Sequence, residues 1–340
     1  MTQHELASTA TALVAPGKGI LAADESFGTI EKRFTSINLT TSEEHRRAYR
    51  EMLFTTKGVG DFISGVILFD ESIRHATKQG TPFPKLLAQA GVIPGIKVDT
   101  GAKDLPGYPG EKITEGLDGL GERLAAYRKL GARFAKWRAV ITIGGEIPTR
   151  FCIDANAHAL ARYAALCQKA GIVPIVEPEV LMDGGHSGER CHEVTETTLT
   201  SVFFHLHAHR VSLEGMLLKP NMVIPGKKAA RQWSAEQIAE ATVRCFLRTV
   251  PSAVPGIVFL SGGQTPQEAT ANLNAMNAMG DHPWQLSYSY GRALQDEGLK
   301  AWGGDPARVA AGQEAFARRG RMVSAAREGK YTTKMEMSAA

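Results

Sequence analysis

This sequence of 340 residues has few cysteines, and they lie far apart. Cys152, Cys167, Cys191 and Cys245 contain no CxxC pair. A disulfide scaffold needs many closely spaced cysteines, so this pattern predicts reduced thiols in a cytoplasmic protein.

The sequence also lacks the segments that direct a chain to a membrane. No apolar run approaches the roughly 18 residues that span a bilayer. The opening MTQHELASTATALVAPG has no basic segment followed by an apolar one, so we expect no secretory signal. We therefore predict a protein without a membrane partner.

No dense block of one charge is present. The 39 basic and 35 acidic residues give a net charge of +4 and are scattered along the chain. Such a balance suits anionic small molecules at least as well as nucleic acid, and we predict no nucleic-acid partner. With 43% apolar and 22% charged residues, the chain is expected to bury a large core.

Eight short runs rich in Val, Ile, Leu or Phe recur along the chain, most of them about 30 to 45 residues apart, the size of a strand–helix unit. The runs cover residues 19–23, 65–69, 93–98, 132–137, 172–176, 215–218, 256–260 and 285–290. Six amphipathic helices are predicted between them, at 42–54, 117–130, 154–168, 194–207, 235–249 and 266–279.

Apolar strands separated by helices indicate a parallel sheet covered on both faces. Eight such units favour a closed α/β barrel, the (β/α)8 or TIM barrel, over a doubly wound open sheet, and no GxGxxG follows the first run. We predict a single domain over 1–340 with N- and C-terminal extensions. Its core covers about 17–330, and a short C-terminal tail covers 331–340.

Polar side chains follow each apolar run. The charged or small polar residues at these ends are Asp24, Glu25, Ser26, Asp70, Glu71, Lys97, Asp99, Lys136, Arg138, Glu177, Glu179, Lys219, Ser261, Gly262, Gly263, Gly291 and Arg292. Side chains two apart on a strand share a face, so each pair of strand-end charges points the same way. One such residue is readily explained as reaching solvent; eight such ends predict an active site at the carboxyl end of the barrel.

Lys219 is the strongest candidate nucleophile. It follows Met216-Leu217-Leu218 and precedes Pro220, and apolar surroundings favour the neutral amine, the form that attacks a carbonyl. Lys136 could supply a second positive charge. A buried ion pair of Lys219 with Glu177 or Glu179 is the alternative.

The glycines after the last two runs predict a phosphate site. Backbone N–H groups of Ser261-Gly262-Gly263 and Gly291 can approach an anion closely, and Arg292 can add a bidentate donor. Glycine pairs also end strands for steric reasons, so Arg292 strengthens the prediction.

The histidines suggest a rival metal site. His205, His207 and His209 form HxHxH, with His186 and His192 upstream, but the neighbouring apolar residues indicate a helix on which only His205 and His209 share a stripe. A metal-dependent barrel lyase or hydrolase, which a chelator would inactivate, and a non-catalytic barrel that binds phosphosugars are the competing hypotheses.

Seven segments in chain order carry a family resemblance: GKGILAADES, PGIKVDTG, FAKWR, GIVPIVEPE, LEGMLLKPNM, FLSGGQ and SYGRALQ. Together they resemble class I fructose-bisphosphate aldolase from about Lys18 to Tyr331. The resemblance implies a (β/α)8 barrel, a Schiff-base lysine, no metal and no cofactor. It also implies a cytoplasmic homotetramer that cleaves fructose 1,6-bisphosphate, a sugar bisphosphate, in glycolysis and gluconeogenesis.

The resemblance also implies individual roles. Lys219 matches the imine-forming lysine, Glu177 the acid/base, Glu179 its supporting carboxylate, and Lys136 an active-site cation. Asp24 matches the aspartate that positions the lysines and a substrate hydroxyl. The substrate and phosphate contacts are Arg138 and Arg33, with Ser261, Gly262, Gly291 and Arg292 at the C1 phosphate, and Lys97, Ser26 and Thr29 at the C6 phosphate.

Overall fold

Within residues 2–337, which the computed structural model describes, the chain forms ten strands. They are β1 Gly19–Ala22, β2 Ile63–Leu68, β3 Ile93–Lys97, β4 Gly101–Asp104, β5 Lys112–Glu115, β6 Phe134–Ile141, β7 Val173–Val180, β8 Leu217–Leu218, β9 Gly256–Phe259 and β10 Gln285–Tyr290.

Eight of these strands close into a barrel in the order β1-β10-β9-β8-β7-β6-β3-β2, and every neighbouring pair is parallel. They correspond to the eight apolar runs, so the predicted TIM barrel is confirmed. The runs are apolar throughout because a barrel strand is buried on both faces. The antiparallel hairpin of β4 and β5 was not predicted from the sequence.

Helices surround the barrel. They are α1 Gln3–Leu13, α2 Phe27–Thr35, α3 Glu43–Phe54, α4 Val59–Phe62, α5 Asp70–Arg74, α6 Phe83–Gln89, α7 Leu120–Lys129, α8 Arg150–Lys169, α9 Gly188–Ala208, α10 Ala235–Thr249, α11 Pro266–Asn277, α12 Arg292–Trp302, α13 Val309–Arg327 and α14 Lys334–Met337.

All six helices predicted from the sequence are present, but the predicted starts of α8 and α9 were wrong. Each begins several residues earlier, because Thr149 and Ser187 cap the first turn by accepting from the backbone N–H three residues on. An N-cap hydroxyl satisfies one of the free amides there and so sets where the helix begins.

Helix α1 closes the amino end of the barrel. Leu6, Ala10 and Leu13 pack with strand residues that point into the barrel, such as Phe134. Ser64 Oγ donates to the carbonyl of Leu13 at 2.6 Å. This end is filled with side chains, so a solvent-filled cavity can form only toward the carboxyl ends of the strands.

The four cysteines are free and buried; the sequence analysis predicted reduced thiols and made no prediction about their burial. Burial raises the pKa of the Cys152 and Cys245 thiols to about 12. Burial likewise raises the pKa of Cys167 and Cys191 above the usual thiol value. Thiols in such surroundings stay protonated and react slowly.

The C-terminal segment packs on the helices outside the barrel. Tyr331 is buried, and its hydroxyl donates to Glu336 in α14, which also accepts from Arg319. Residues 338–340 of the predicted tail lie outside the described residues. The assignment of 1–340 to a single domain stays a prediction.

The structure bears on the membrane question only through helix length and composition. None of the helices found between residues 2 and 337 combines the length and the apolar character needed to cross a bilayer.

Candidate active site

One cavity of about 760 Å³ lies at the carboxyl ends of the barrel strands, and all fourteen site residues predicted from the sequence line it. These are Asp24, Ser26, Thr29, Arg33, Lys97, Lys136, Arg138, Glu177, Glu179, Lys219, Ser261, Gly262, Gly291 and Arg292. The structure thus brings together every member of the predicted set.

Strand register places the charged groups beside one another. Lys97 on β3 is aligned with Lys136 on β6, and Arg138 on β6 is aligned with Glu177 on β7. Neighbouring parallel strands lie about 4.8 Å apart. Two aligned pairs of charged residues therefore lie on three adjacent strands, and the second pair is two residues nearer the carboxyl end of β6 than the first.

Glu177 lies between the two lysines expected to carry the chemistry. Its Oε1 is 3.3 Å from Lys219 Nζ, and its Oε2 is 3.4 Å from Lys136 Nζ. All three side chains are at most 5% exposed. Glu177 Oε2 accepts no hydrogen bond from any residue in the described part of the chain. The sequence analysis offered an ion pair of Lys219 with Glu177 or with Glu179 as the alternative, and the pair with Glu177 is present. The second oxygen of Glu177 remains able to accept a hydrogen bond.

Lys136 is surrounded by carboxylates. Its Nζ is 3.0 Å from Asp24 and 3.7 Å from Asp99, in addition to Glu177. Burial alone would lower the pKa of the Lys136 ammonium, but the charges of Asp24, Glu177 and Asp99 outweigh it and hold that pKa above its usual value. Lys136 is therefore a fixed cation, even though it is buried.

The pKa of the Asp24 carboxyl shifts in the opposite direction to that of Lys136. Burial would raise the pKa of this carboxyl, but Lys136 and then Lys219 overcome burial and hold the pKa well below its usual range. Asp24 is therefore ionised at neutral pH. Opposite charges stabilise the charged form of each partner.

Two further ion pairs form the walls of the cavity. Arg138 Nε donates to Glu179. Burial lowers the pKa of the Arg138 guanidinium, and Glu179 more than reverses that shift. Lys97 Nζ lies 2.7 Å from Asp99 Oδ1. Asp99 is thus shared by two lysines, and its spacing from Lys97 on the strand was the sequence signal that could have assigned it to the site.

The glycine loop after β9 and the start of α12 meet at one side of the cavity. Arg292 Nη2 donates to the carbonyl of Gly262 at 2.6 Å. Gly262 has a positive φ of 56°, a conformation that a residue with a Cβ adopts only with strain. Ser261, Gly262 and Gly263 line the cavity at this turn, and a glycine turn of this kind is typical of anion sites.

Ser26, Thr29 and Arg33 belong to the segment after β1 and its helix α2. Ser26 Oγ and Thr29 Oγ1 are 3.1 Å apart. Arg33 Nη1 is 2.6 Å from Glu25 Oε1, and the other oxygen of Glu25 contacts Arg50. Sequence reasoning did not assign Glu25 or Arg50, and no spacing pattern links Arg50 on α3 to the site.

The histidines of the rival metal hypothesis lie away from this cavity. The rings of His205 on α9 and of His209, the residue after that helix, pack edge-on against His158 on α8, with centroids 5.6 and 4.9 Å away. Over residues 2–337, no three His, Cys, Asp or Glu side chains are arranged to hold a metal ion. The absence of a metal requirement stays a prediction.

Comparison with known proteins identifies the family. The family described as fructose-bisphosphate aldolase class-I matches residues 5–340. A probable fructose-bisphosphate aldolase class 1 of Xanthomonas campestris is 60% identical over 90% of this chain and 91% of its own. The cytosolic fructose-bisphosphate aldolase 4 of Arabidopsis thaliana is 54% identical over 96% and 84%.

A solved structure is similar over almost the whole fold. The fructose-bisphosphate aldolase of Plasmodium falciparum, crystallised with TRAP and a small-molecule inhibitor, has a TM-score of 0.96 and 51% identity, covering 97% of this chain and 95% of that one. The chain therefore belongs to the class-I fructose-bisphosphate aldolase family.

Proposed function

We propose that Lys219 is the amine through which this chain carries out the reaction of its family, the reversible cleavage of fructose 1,6-bisphosphate to dihydroxyacetone phosphate and glyceraldehyde 3-phosphate. One observation carries the proposal. The Lys219 side chain is buried in the wall of the cavity, and its Nζ is 3.3 Å from a carboxylate oxygen of Glu177.

Lys219 must lose a proton before it attacks a carbonyl. Glu177 Oε1 is close enough to accept that proton as substrate enters. Lys136, on the other oxygen of Glu177, is held as a cation by three carboxylates.

Neutral Nζ attacks the C2 ketone of the sugar to give a carbinolamine. Glu177 returns its proton to the carbinolamine hydroxyl, which leaves as water, so that a protonated imine forms and Glu177 is again a carboxylate. The imine accepts the electron pair of the C3–C4 bond, so that no free carbanion forms. Glu177 takes the proton of the C4 hydroxyl as this bond breaks, and glyceraldehyde 3-phosphate leaves. Protonation of the enamine at C3 and addition of water then release dihydroxyacetone phosphate and restore Lys219.

Two groups of phosphate contacts support a bisphosphate substrate. The loop of Ser261 and Gly262, with Gly291 and Arg292, is assigned to the C1 phosphate. Lys97, Ser26 and Thr29 are assigned to the C6 phosphate, and Arg33 is assigned to substrate binding in the same cavity. Binding both ends fixes the reacting carbons relative to Lys219, which lowers the entropic cost of the reaction.

The supporting carboxylates have positioning roles in this proposal. Asp24 holds Lys136 in place and accepts from a substrate hydroxyl, and Glu179 orients Arg138. Each role is supported by one contact. Asp24 Oδ2 is 3.0 Å from Lys136 Nζ, and Glu179 accepts a hydrogen bond from Arg138 Nε.

Borohydride reduction tests the proposal. The protein is incubated with dihydroxyacetone phosphate, reduced and digested, and the modified peptide is identified by mass spectrometry. We expect one stable adduct, on Lys219, and none in Lys219→Arg. Lys136→Met serves as the matched control, since it removes the neighbouring lysine and leaves the nucleophile. An adduct on another lysine would contradict the assignment.

The oligomeric state and the cellular location are proposed from the family and its relatives. We propose a homotetramer, as the resemblance implies, which sedimentation at several protein concentrations would test. We propose a cytoplasmic location because the similar plant aldolases are named cytosolic, and fractionation of the source cells with an antibody to the chain would test it.

A further inference from the structure

A lysine that the fourteen predicted residues do not include lies at the rim of the cavity. Lys227 follows β8 by nine residues and lines the cavity wall. Three backbone hydrogen bonds fix its segment to the loop after β7: from Gly226 to His186, from Lys227 to Met182 and from Lys228 to Gly184, at 2.8 to 2.9 Å. Its backbone position at the rim is therefore well defined.

The side chain of Lys227 lies directly over the glycine loop. A Cβ built on Gly263 would be only 2.1 Å from Lys227 Cε and 2.2 Å from Nζ. A side chain at position 263 would therefore displace the Lys227 ammonium from this loop. With glycine there, the positive charge lies against Gly263.

The amide at Gly263 is weakly satisfied. Its N–H donates to Met182 Sδ at 3.1 Å, and a thioether sulfur is a poor acceptor. An oxyanion is a much stronger acceptor and would replace the sulfur. Lys227 Nζ and the Gly263 amide are thus two donors at one place in the cavity.

The charges facing Lys227 leave its ammonium available. Within the described residues, the one carboxylate in ion-pair range of Nζ is Asp183, at 3.6 Å, and this side chain is 70% exposed. Exposed pairs of this kind contribute little. Glu179, the other carboxylate near the loop, is bound by Arg138.

We propose that Lys227, with the Gly263 amide, is a further contact to a phosphate group, on the side of the cavity formed by Ser261–Gly263 and Arg292. The inference rests on the proposed function, in which this side holds the C1 phosphate. Lys227 then contributes to binding fructose 1,6-bisphosphate and dihydroxyacetone phosphate, which carry that phosphate, but not glyceraldehyde 3-phosphate. It takes no part in the bond-breaking steps.

The condensation reaction separates the two ends of the cavity. Michaelis constants for dihydroxyacetone phosphate and for glyceraldehyde 3-phosphate are measured for wild type, Lys227→Met, Lys227→Arg and Lys228→Met. Lys228 provides the matched control, because it has the same charge and exposure one residue along and does not line the cavity.

We expect Lys227→Met to raise KM for dihydroxyacetone phosphate about three- to tenfold, with less than a twofold change for glyceraldehyde 3-phosphate and in kcat. Lys227→Arg should restore most of the affinity. The inhibition constant of inorganic phosphate should rise by the same factor in Lys227→Met. Lys228→Met should behave as wild type.

Three results would overturn the inference: an unchanged KM for dihydroxyacetone phosphate, an equal rise for both substrates, or the same rise in Lys228→Met. The same rise in Lys228→Met would indicate that KM depends on the overall positive charge near the rim and not on a contact from Lys227. Borohydride trapping distinguishes the two proposals. If wild type gives no adduct on Lys219, the proposed function fails; if the adduct forms and Lys227→Met behaves as wild type, only the role of Lys227 fails.

Discussion

Replacing Lys136 by methionine tests how far one buried cation stabilises the site. The change removes the ammonium and keeps most of the side-chain volume. Of the three carboxylates around Lys136, Glu177 remains paired with Lys219 and Asp99 remains paired with Lys97. Asp24 loses the ammonium with which it is paired. Removing one member of a buried ion pair costs 3–5 kcal/mol when the other member is left alone. With two of three carboxylates still paired, we expect a loss of about 3 kcal/mol in the free energy of unfolding at pH 7.5.

The loss of stability should depend on pH, because removing Lys136 changes the pKa of Asp24. In wild type the pKa of Asp24 is lowered, so its stabilising contribution is complete above pH 4 and is lost only as the pH falls further. Without Lys136, burial is the larger influence and raises the pKa of Asp24. The penalty of its buried charge then decreases as the pH falls through the raised value.

Urea denaturation followed by circular dichroism at pH 7.5 and pH 5.0, at one protein concentration, measures both effects. We expect the difference between wild type and Lys136→Met to be smaller at pH 5.0. Lys228→Met, which removes an exposed lysine, should change stability by less than about 0.5 kcal/mol at both pH values. A Lys136→Met variant within 1 kcal/mol of wild type at pH 7.5, or one whose difference is the same at both pH values, would refute this reasoning.

Three further predictions follow from the same geometry. Glu177→Gln keeps the side-chain shape but removes the proton acceptor, so kcat for cleavage should fall about 100- to 10,000-fold, and a variant with near-normal kcat would exclude Glu177 as the base. Gly95→Ala places a Cβ 2.3 to 2.5 Å from three ring carbons of buried Phe134; it should cost about 1–3 kcal/mol in urea denaturation, part of it recovered by adding Phe134→Leu. Dialysis against a chelator should leave the cleavage rate unchanged, whereas a loss reversed by zinc would favour a metal-dependent reaction.

The barrel could be predicted from the sequence because its strands are buried on both faces. Runs such as residues 172–176 are then continuously apolar, and the polar residue at the end of each run lies where the strand meets the cavity. The hairpin of β4 and β5 was not predicted, because both strands are short and mostly polar, and no apolar run identifies them.

The composition of the site was also predictable, but its contacts were not. The polar strand ends placed Lys136 and Glu177 in one predicted site, yet which oxygen of Glu177 faces which lysine depends on side-chain rotamers and on barrel shear. Lys227 lies in an irregular loop and reaches the site only because three backbone hydrogen bonds fold that loop over the rim. Local sequence carries no sign of such a contact.

The four shielded thiols make this protein convenient for spectroscopy. Reagents such as maleimides attack thiolates at accessible positions, and the native cysteines are buried with raised pKa values. A single cysteine introduced at exposed position 228 would thus be the fast-reacting group, with no need to delete the others first. A fluorophore there would sit one residue from Lys227 and report, in real time, when an anion arrives at the rim.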